Sequence, residues 1–128
     1  MGESNTHQRF TDLDVWKQAR LLKLEVYELI KQFPNEEKYD LVSQLRRSVR
    51  SVCSNIAEGH GRFTYKDQLH FCIQSRGSLS EVLNHLIDAH DCQYIDREKL
   101  KIFEEKTVVV AKLLNGYITF LRNAANQK

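Results

Sequence analysis

Among the residues of this 128-residue chain that could do chemistry, Arg76 has the least expected placement. It falls near the centre of an apolar helical stripe. A buried guanidinium needs a carboxylate partner, because an unpaired charge inside a protein is very costly. Glu58 and Glu81 are the candidate partners, and Asn55 can add hydrogen bonds. This set could form a polar active site. The favoured interpretation is a structural ion-pair and amide cluster that fixes the register of the helices.

The histidines and cysteines argue against metal or thiol chemistry. His85 and His90 are five residues apart, whereas a helical zinc site uses histidines four apart. Di-iron bundles need Glu-x-x-His pairs on facing helices, and the sequence has none. Cys53 and Cys72 lie in apolar stripes and not in the electropositive surroundings that activate a thiol, so they are predicted to pack in the core. We predict no metal, no cofactor and no enzyme activity.

A cluster of basic residues is the remaining candidate site. The net charge is only +2, so any nucleic-acid surface has to be local. Five cations lie on and just after the second predicted helix: Arg46, Arg47, Arg50, Arg62 and Lys66. Such a patch would hold phosphates without reading bases. The alternative is a solvated charged face with some ion pairs between subunits.

Four helices are predicted to position these residues. Apolar residues recur at three- and four-residue steps in four segments, which is typical of amphipathic helices with one buried face. The segments cover about 13–33, 40–59, 64–92 and 96–123. Because the connections are short, we predict an all-α, antiparallel up-down-up-down four-helix bundle. The bundle domain is predicted over residues 10–123, with a disordered N-terminal tail at 1–9 and a C-terminal tail at 124–128.

Local signals mark the ends of these helices. Pro34 removes the preceding residue from helical geometry and ends the first helix. Gly59 is predicted to be the left-handed residue that ends the second helix. Thr64 and Asp96 are predicted N-caps for the third and fourth helices.

The third helix has an unusually wide apolar arc. Its predicted inner face includes Ile73, Leu79, Leu86 and Ile87. Gly77 interrupts this helix, and a glycine inside a helix costs about 1 kcal/mol relative to alanine. We therefore predict that another helix approaches closely at this point.

The fourth helix carries a second apolar stripe that a monomer cannot bury, and the first helix has a weaker one. A helix in a monomeric bundle needs about one apolar stripe. Contiguous surplus apolar surface is typical of an interface. We therefore predict a homo-oligomer, although the pattern leaves the subunit number open. The predicted interface residues are Leu21, Leu24, Ile102, Val109, Leu113 and Phe120.

The sequence predicts neither a signal peptide nor a membrane-spanning segment. The N-terminus is polar, and no apolar run approaches the roughly 20 residues that a spanning helix needs. An odd number of cysteines inside helical patterns predicts free thiols in a reducing compartment. The predicted location is cytoplasmic.

Several motifs resemble a known protein family. The two most specific are Ser-Val-Cys-Ser-Asn-Ile-Ala-Glu-Gly at 51–59 and Ser-Arg-Gly-Ser-Leu-Ser-Glu at 75–81. The opening Phe-x-Asp-Leu-x-Val-Trp at 10–16, Phe-Pro at 33–34 and Gln-Leu-Arg-Arg at 44–47 also match. The chain resembles bacterial four-helix-bundle proteins named for open reading frames in intervening sequences of 23S rRNA genes. The accessory variability determinant proteins of diversity-generating retroelements are similar in fold.

The resemblance implies a cytoplasmic bundle that assembles as a homopentameric, barrel-like ring. For the retroelement relatives it implies binding of nucleic acid and of a reverse transcriptase through a basic surface. For the rRNA-linked members it implies no established activity. The motif residues that match the family are interpreted as fold-specifying: Asn55, Glu58, Arg76, Gly77, Ser78 and Glu81.

Together these patterns predict a non-catalytic, homo-oligomeric scaffold or adaptor. Its predicted partners are further copies of itself and, through the basic patch, RNA, DNA or a ribonucleoprotein. No membrane partner is predicted. One alternative is a protein-only interaction module that presents a groove to another protein. The other is an uncharacterised enzyme that uses Glu58, Arg76 and Glu81.

Overall fold

The computed structural model describes residues 8–127 and, within them, contains helices and no strand. The four helices are α1 (Asp14–Ile30), α2 (Leu41–His60), α3 (Tyr65–Asp91) and α4 (Arg97–Ala125). One-turn 3-10 helices at Phe10–Asp12 and Asn35–Glu37 precede α1 and α2. The predicted all-α class and the number of helices are confirmed. Most of the predicted tail at 1–9 lies outside the described residues, and α4 continues two residues into the predicted C-terminal tail.

The helices pack as a bundle in which each contacts its two neighbours. α1 lies against α2 and α4, and α3 lies against the same two helices. Neighbouring helices run in opposite directions. Ser51 of α2 meets Ser78 of α3, whereas Gly59, eight residues later in α2, meets Phe71, seven residues earlier in α3. Short connections between consecutive helices require this antiparallel arrangement.

One continuous apolar core fills the centre of the bundle. In α4 the buried side chains recur every three or four residues, as expected for one face of a helix. The largest fully buried side chains are leucines, isoleucines and valines from all four helices. The single buried face predicted for each of α1, α2 and α4 is confirmed. Trp16, Tyr27 and Val42 pack at the edge of the core and are half-buried.

The predicted helix caps hold for α3 and α4. The Thr64 hydroxyl accepts a hydrogen bond from the Asp67 amide at 3.1 Å, and the Asp96 carboxylate accepts one from the Lys99 amide at 2.8 Å. Each satisfies a backbone donor that has no partner within the helix. α1 begins at Asp14 without a side-chain cap.

The buried face of α3 is rotated from the predicted one. Ser75, Val82 and Ala89 are buried, whereas Ile73 and Ile87, which were predicted to face inward, are exposed. Small side chains cause this rotation, because they let α3 approach α2 closely. The Ser75 hydroxyl donates to the Val52 carbonyl at 2.7 Å, and the Ser51 and Ser78 hydroxyls lie 2.8 Å apart.

Gly59 has a different role from the predicted one. It lies within α2, which continues to His60, and it does not adopt a left-handed conformation. A Cβ added at Gly59 would lie 3.0 Å from the Phe71 Cβ and 3.1 Å from the Gln68 carbonyl oxygen. This glycine is therefore needed for the close approach of α3 to α2.

Replacing Gly59 with alanine is expected to lower the free energy of unfolding by about 1 to 2 kcal/mol. The added methyl group would push against the α3 backbone, and this overpacking outweighs the better helix propensity of alanine. Urea unfolding followed by circular dichroism measures the change. Gly61→Ala is the matched control, because a Cβ there meets nothing closer than 3.5 Å. Equal stability of the two variants would contradict a close contact at Gly59.

Candidate nucleic-acid interface and assembly surfaces

A groove between α1 and α4 holds the residues predicted to form the oligomer interface. Three depressions of about 400, 170 and 350 Å³ follow one another along it. Leu24 and Ile102 line the first, Leu21 and Val109 the second, and Leu113 and Gly116 the third. All of these leucine, isoleucine and valine side chains are exposed. We call this surface the α1/α4 groove.

One ion pair crosses the same groove, and two stacked aromatic rings lie at its end. The Lys106 ammonium lies 2.9 Å from the Glu25 carboxylate, so this ion pair joins α4 to α1 across the groove. Phe120, the last predicted interface residue, is exposed and stacks on Tyr117 with ring centres 6.2 Å apart. The predicted interface residues therefore share one extended apolar surface.

Three further exposed apolar side chains lie on the adjacent side of the bundle, on α3 and α4. There the Arg76 guanidinium donates to the Asn115 side-chain oxygen at 3.3 Å. Ile73 and Ile87 fall on the same flank of α3 as Arg76, and Val108 falls on the same flank of α4 as Asn115. All three apolar side chains are exposed. We call Ile73, Ile87 and Val108 the α3/α4 patch.

The structure divides the predicted basic patch into separate groups. Arg46 and Arg50 lie beside α1, whereas Arg47 lines a depression between α2 and α3. Arg62 pairs with Glu58 at 2.8 Å. Lys66 is exposed in the first turn of α3. Consecutive helix positions point about 100° apart, so neighbouring arginines on α2 face different sides.

Tyr27 of α1 is the centre of a basic surface that the sequence only partly indicated. The Arg50 side chain donates to its hydroxyl at 2.8 Å, and the Arg46 guanidinium lies 5.1 Å from its ring centre. The Lys23 ammonium is 6.0 Å from the same ring. Arg20 lies two turns before Tyr27 on the same flank of α1. We call Arg20, Lys23, Arg46 and Arg50 the α1/α2 cationic surface.

Lys23 and Arg20, the two cations that α1 contributes to this surface, act electrostatically on a thiol of α2. Burial raises the pKa of Cys53 on α2 to about 11, and the positive charges of Lys23 and Arg20 oppose that rise. No cation of the α1/α2 cationic surface forms an ion pair with a carboxylate of residues 8–127. The acids of α1 lie on its other flank, where Glu25 pairs with α4. This side of the bundle therefore carries uncompensated positive charge. The sequence signal for this surface is the three- and four-residue spacing of Arg20, Lys23 and Tyr27 along α1.

The predicted polar cluster around Arg76 does not form. Arg76 is exposed and contacts Asn115 of α4, whereas Glu58 pairs with Arg62 and Glu81 lines the α2/α3 depression. Asn55 donates to the Ser51 hydroxyl and carbonyl within α2, and the same Ser51 hydroxyl lies 2.8 Å from that of Ser78 of α3. The rotated face of α3 explains the error, because it moves Arg76 out of the core. An active site built from Glu58, Arg76 and Glu81 is therefore not supported.

Cys53 and Cys72 are buried, as predicted, and Cys92 is exposed in the connection between α3 and α4. Burial raises the pKa of Cys72 to about 11, close to that of Cys53. Both thiols are therefore protonated and unreactive at neutral pH. Within residues 8–127, no three histidine, cysteine or carboxylate side chains come together to hold a metal ion.

The free energy of unfolding is expected to fall as the pH rises from about 9 to about 11. The ordinary pKa of a thiol is 9.0, and burial raises it to about 11 for Cys53 and Cys72 in the folded state. Above pH 9 the unfolded chain therefore binds fewer protons than the folded one, so this contribution is fully present below pH 9 and is lost above it. Urea titrations under reducing conditions measure the profile. A Cys53→Ala/Cys72→Ala variant should show a flatter profile, and an identical one would contradict the assignment.

The family model of the 23S rRNA-intervening sequence proteins matches residues 11–116, which is most of the chain. The chain belongs to this family. The resemblance carried by the motifs at 51–59 and 75–81 is thereby confirmed. No curated protein matches this member of the 23S rRNA-intervening sequence family.

A solved structure shows the same fold. It is the crystal structure of a protein with unknown function from the S23 ribosomal protein family of Bacteroides thetaiotaomicron VPI-5482. The two chains are 23% identical and superimpose with a TM-score of 0.76, over 82% of this chain and 95% of that one. Neither description names a reaction. No helix in residues 8–127 combines the length and apolarity needed to cross a membrane.

Proposed function

We propose that the chain is a non-catalytic subunit of a homo-oligomeric ring whose outer surface binds the phosphate backbone of RNA or DNA. The observation that carries this proposal is the segregation of two kinds of surface on one bundle. An apolar groove runs along α1 and α4, and an uncompensated cationic surface lies on the other flank of α1. The first surface suits another copy of the chain, and the second suits a polyanion.

Two exposed glycines support association through the apolar surfaces. Gly116 lies in the α1/α4 groove and Gly77 on the outer side of α3, one turn from Ile73. A Cβ at either position would meet nothing within 4 Å. Glycine inside a helix costs about 1 kcal/mol relative to alanine, so the isolated bundle gains nothing from them. A neighbouring copy packed closely against the helix backbone would account for both.

The positions of the two apolar surfaces fit a closed ring. They lie on adjacent sides of the bundle, and such sides face directions roughly 90° apart. When two different faces meet head to tail, closed rings of four or five subunits need faces about 90° or 108° apart. We propose five subunits, the number implied by the family resemblance. α4, shared by both faces, is then nearest the ring axis, and the diagonally opposite α2 faces outward.

This orientation presents the basic side chains to a ligand outside the ring. The α1/α2 cationic surface has no carboxylate close enough to form an ion pair within the described chain. Arg46 and Arg50 are held in place by Tyr27, so less side-chain entropy is lost when they contact a phosphate. These contacts neutralise phosphates and read no base edges, so this surface should bind RNA and DNA without sequence preference.

Two measurements on the unmodified protein test the proposal. Light scattering at micromolar concentration should give five times the subunit mass of 15.0 kDa. Fluorescence anisotropy with a labelled oligouridine should show affinity that falls with salt, with a log–log slope of about −3 for four phosphate contacts per subunit. A folded 15.0 kDa particle would overturn the ring. Binding that is absent or unaffected by salt would overturn the nucleic-acid role and favour a protein-only interaction module.

Replacing Gly116 with alanine is expected to separate helix stability from assembly. The dissociated subunit should become more stable by about 1 kcal/mol, because nothing in the subunit opposes the new methyl group. Association should weaken about tenfold or more, since overpacking an interface typically costs 1–3 kcal/mol. Sedimentation across a dilution series measures the second effect. Unchanged or tighter association would show that no neighbour packs against Gly116.

A further inference from the structure

The side of the bundle between α2 and α3 contains a polar depression of about 400 Å³. This volume lies in the range of small-ligand sites. Its lining differs from that of the α1/α4 groove, because polar side chains dominate it: Tyr39, Gln44, Arg47, Ser51, Glu81 and His85. We call it the α2/α3 pocket. A pocket of this composition suits a ligand recognised by hydrogen bonds.

Four polar side chains in this pocket are free of hydrogen bonds and ion pairs within residues 8–127. Tyr39, Arg47, Glu81 and His85 form no hydrogen bond and no ion pair there, although Arg47 and Glu81 carry opposite charges and line the same pocket. Tyr39 is 87% exposed, and the Lys38 ammonium lies 5.4 Å from its ring centre on one face, so the other ring face and the hydroxyl are available. An aromatic face, a cation and a carboxylate therefore converge on one cavity.

The wall behind these groups is rigid. The Ser51 hydroxyl lies 2.8 Å from that of Ser78 and accepts a hydrogen bond from Asn55 at 3.0 Å. Ser48 is buried and donates to the Leu45 carbonyl. The Ser51–Ser78 contact and the Ser75–Val52 hydrogen bond join α2 to α3, and the other two contacts lie within α2 and order its side chains. The pocket is therefore preformed, which lowers the entropic cost of binding.

We propose that the α2/α3 pocket binds a guanine base of single-stranded nucleic acid, an inference that rests on the proposed function. The two oxygens of the Glu81 carboxylate match the adjacent N1–H and N2 amino donors on the Watson–Crick edge of guanine. Adenine and uracil each present only one donor type on that edge beside an acceptor, which a carboxylate would repel. Unpaired bases are read in this way, with stacking on an aromatic ring. Tyr39 supplies the ring, and Arg47 supplies a cation for the phosphate.

The location of the pocket suits this role. Arg47 follows Arg46 directly in α2 and points about 100° away from it, so the pocket and the α1/α2 cationic surface lie on adjacent sides of this helix. A strand whose backbone lies along α2 could place one base in the pocket. Duplex nucleic acid could not, because its Watson–Crick edges are paired. The cationic surface would therefore supply most of the affinity, and the pocket would supply a preference for guanine in single strands.

The test compares two oligouridines that carry one central guanosine or one central adenosine. The guanosine form should bind about tenfold or more tightly, and Glu81→Gln should abolish the difference. Tyr39→Ala should weaken both single-stranded probes without changing the affinity for a duplex. Glu105→Gln, an exposed change on α4, is the control and should leave the preference intact. These positions are exposed, so the variants are expected to fold.

The possible results distinguish the guanine site from the proposed binding of the nucleic-acid backbone. Equal affinity for the two probes, or a preference that survives Glu81→Gln, would overturn the guanine site and leave the proposed backbone binding standing. Guanosine 5′-monophosphate that shifts the His85 ring signals in NMR spectra, when adenosine 5′-monophosphate does not, would support the site even if no oligonucleotide binds. In that case the guanine recognition would stand, whereas the proposed function and the single-stranded ligand would be overturned.

Discussion

Val109→Asp is expected to break the assembly into smaller species while the bundle stays folded. The Val109 side chain is 47% exposed and lines the middle of the α1/α4 groove opposite Leu21. In an isolated subunit an aspartate there would remain in water and cost little. In an interface it would be a desolvated charge without a partner, which costs several kcal/mol at every contact. Because every contact in the ring would contain one such aspartate, each contact should weaken at least a hundredfold.

Light scattering and circular dichroism together decide this prediction. The mass should fall towards 15.0 kDa while the helical signal is retained. Leu113→Asp, in the neighbouring depression, should act in the same way. Ser54→Asp is the matched control, because it introduces the same charge at an exposed position of α2, outside both apolar surfaces. If Val109→Asp and Leu113→Asp both keep the native mass, the α1/α4 groove is not the interface.

Reversing the charges of Arg46 and Arg50 is expected to remove most of the affinity for nucleic acid. The double change to glutamate replaces two cations by two anions at the centre of the α1/α2 cationic surface, next to Tyr27. Each lost phosphate contact also removes the associated release of counterions. We expect a loss of about a hundredfold at moderate salt, together with a shallower salt dependence. Fluorescence anisotropy with oligouridine measures both.

A control with the same change in net charge makes this result specific. Arg97→Glu/Lys101→Glu alters two exposed cations of the first turns of α4, away from the α1/α2 cationic surface. That variant should keep most of the affinity. Comparable losses in the two double variants would indicate a response to overall charge and would contradict an outer binding surface. The mass of each variant shows whether assembly is preserved.

The sequence predicted most of the fold because the fold depends on local patterns. Three- and four-residue spacing located all four helices, and the caps at Thr64 and Asp96 followed from side chains that bond within one turn. The error on α3 has a specific cause. Serine does not contribute to a hydropathy pattern, yet Ser75 is fully buried at the α2–α3 contact. Hydropathy therefore placed the centre of the face too close to Arg76.

The candidate sites were harder to predict because their residues come from different helices. Arg20 and Arg50 belong to the same surface, although they are far apart in sequence and only the packing of α1 on α2 brings their flanks together. Conversely, Arg46 and Arg47 are adjacent in sequence and face different neighbours. The α1/α4 stripe was visible because it repeats along single helices. The surface proposed to cover this stripe belongs to another subunit, so the residue pattern along one helix does not identify it.

The reactivity of the buried thiols measures how readily the bundle opens locally. An alkylating reagent reaches Cys92 directly, because that side chain lies in the solvent. It reaches Cys53 and Cys72 only when the helices separate, so their modification rates report the free energy of that local opening. Cys53 lies near the cations of α1, and Cys72 lies near Tyr117 of α4. The two rates would therefore measure the opening of the α1–α2 contact and of the α3–α4 contact separately, with no added label.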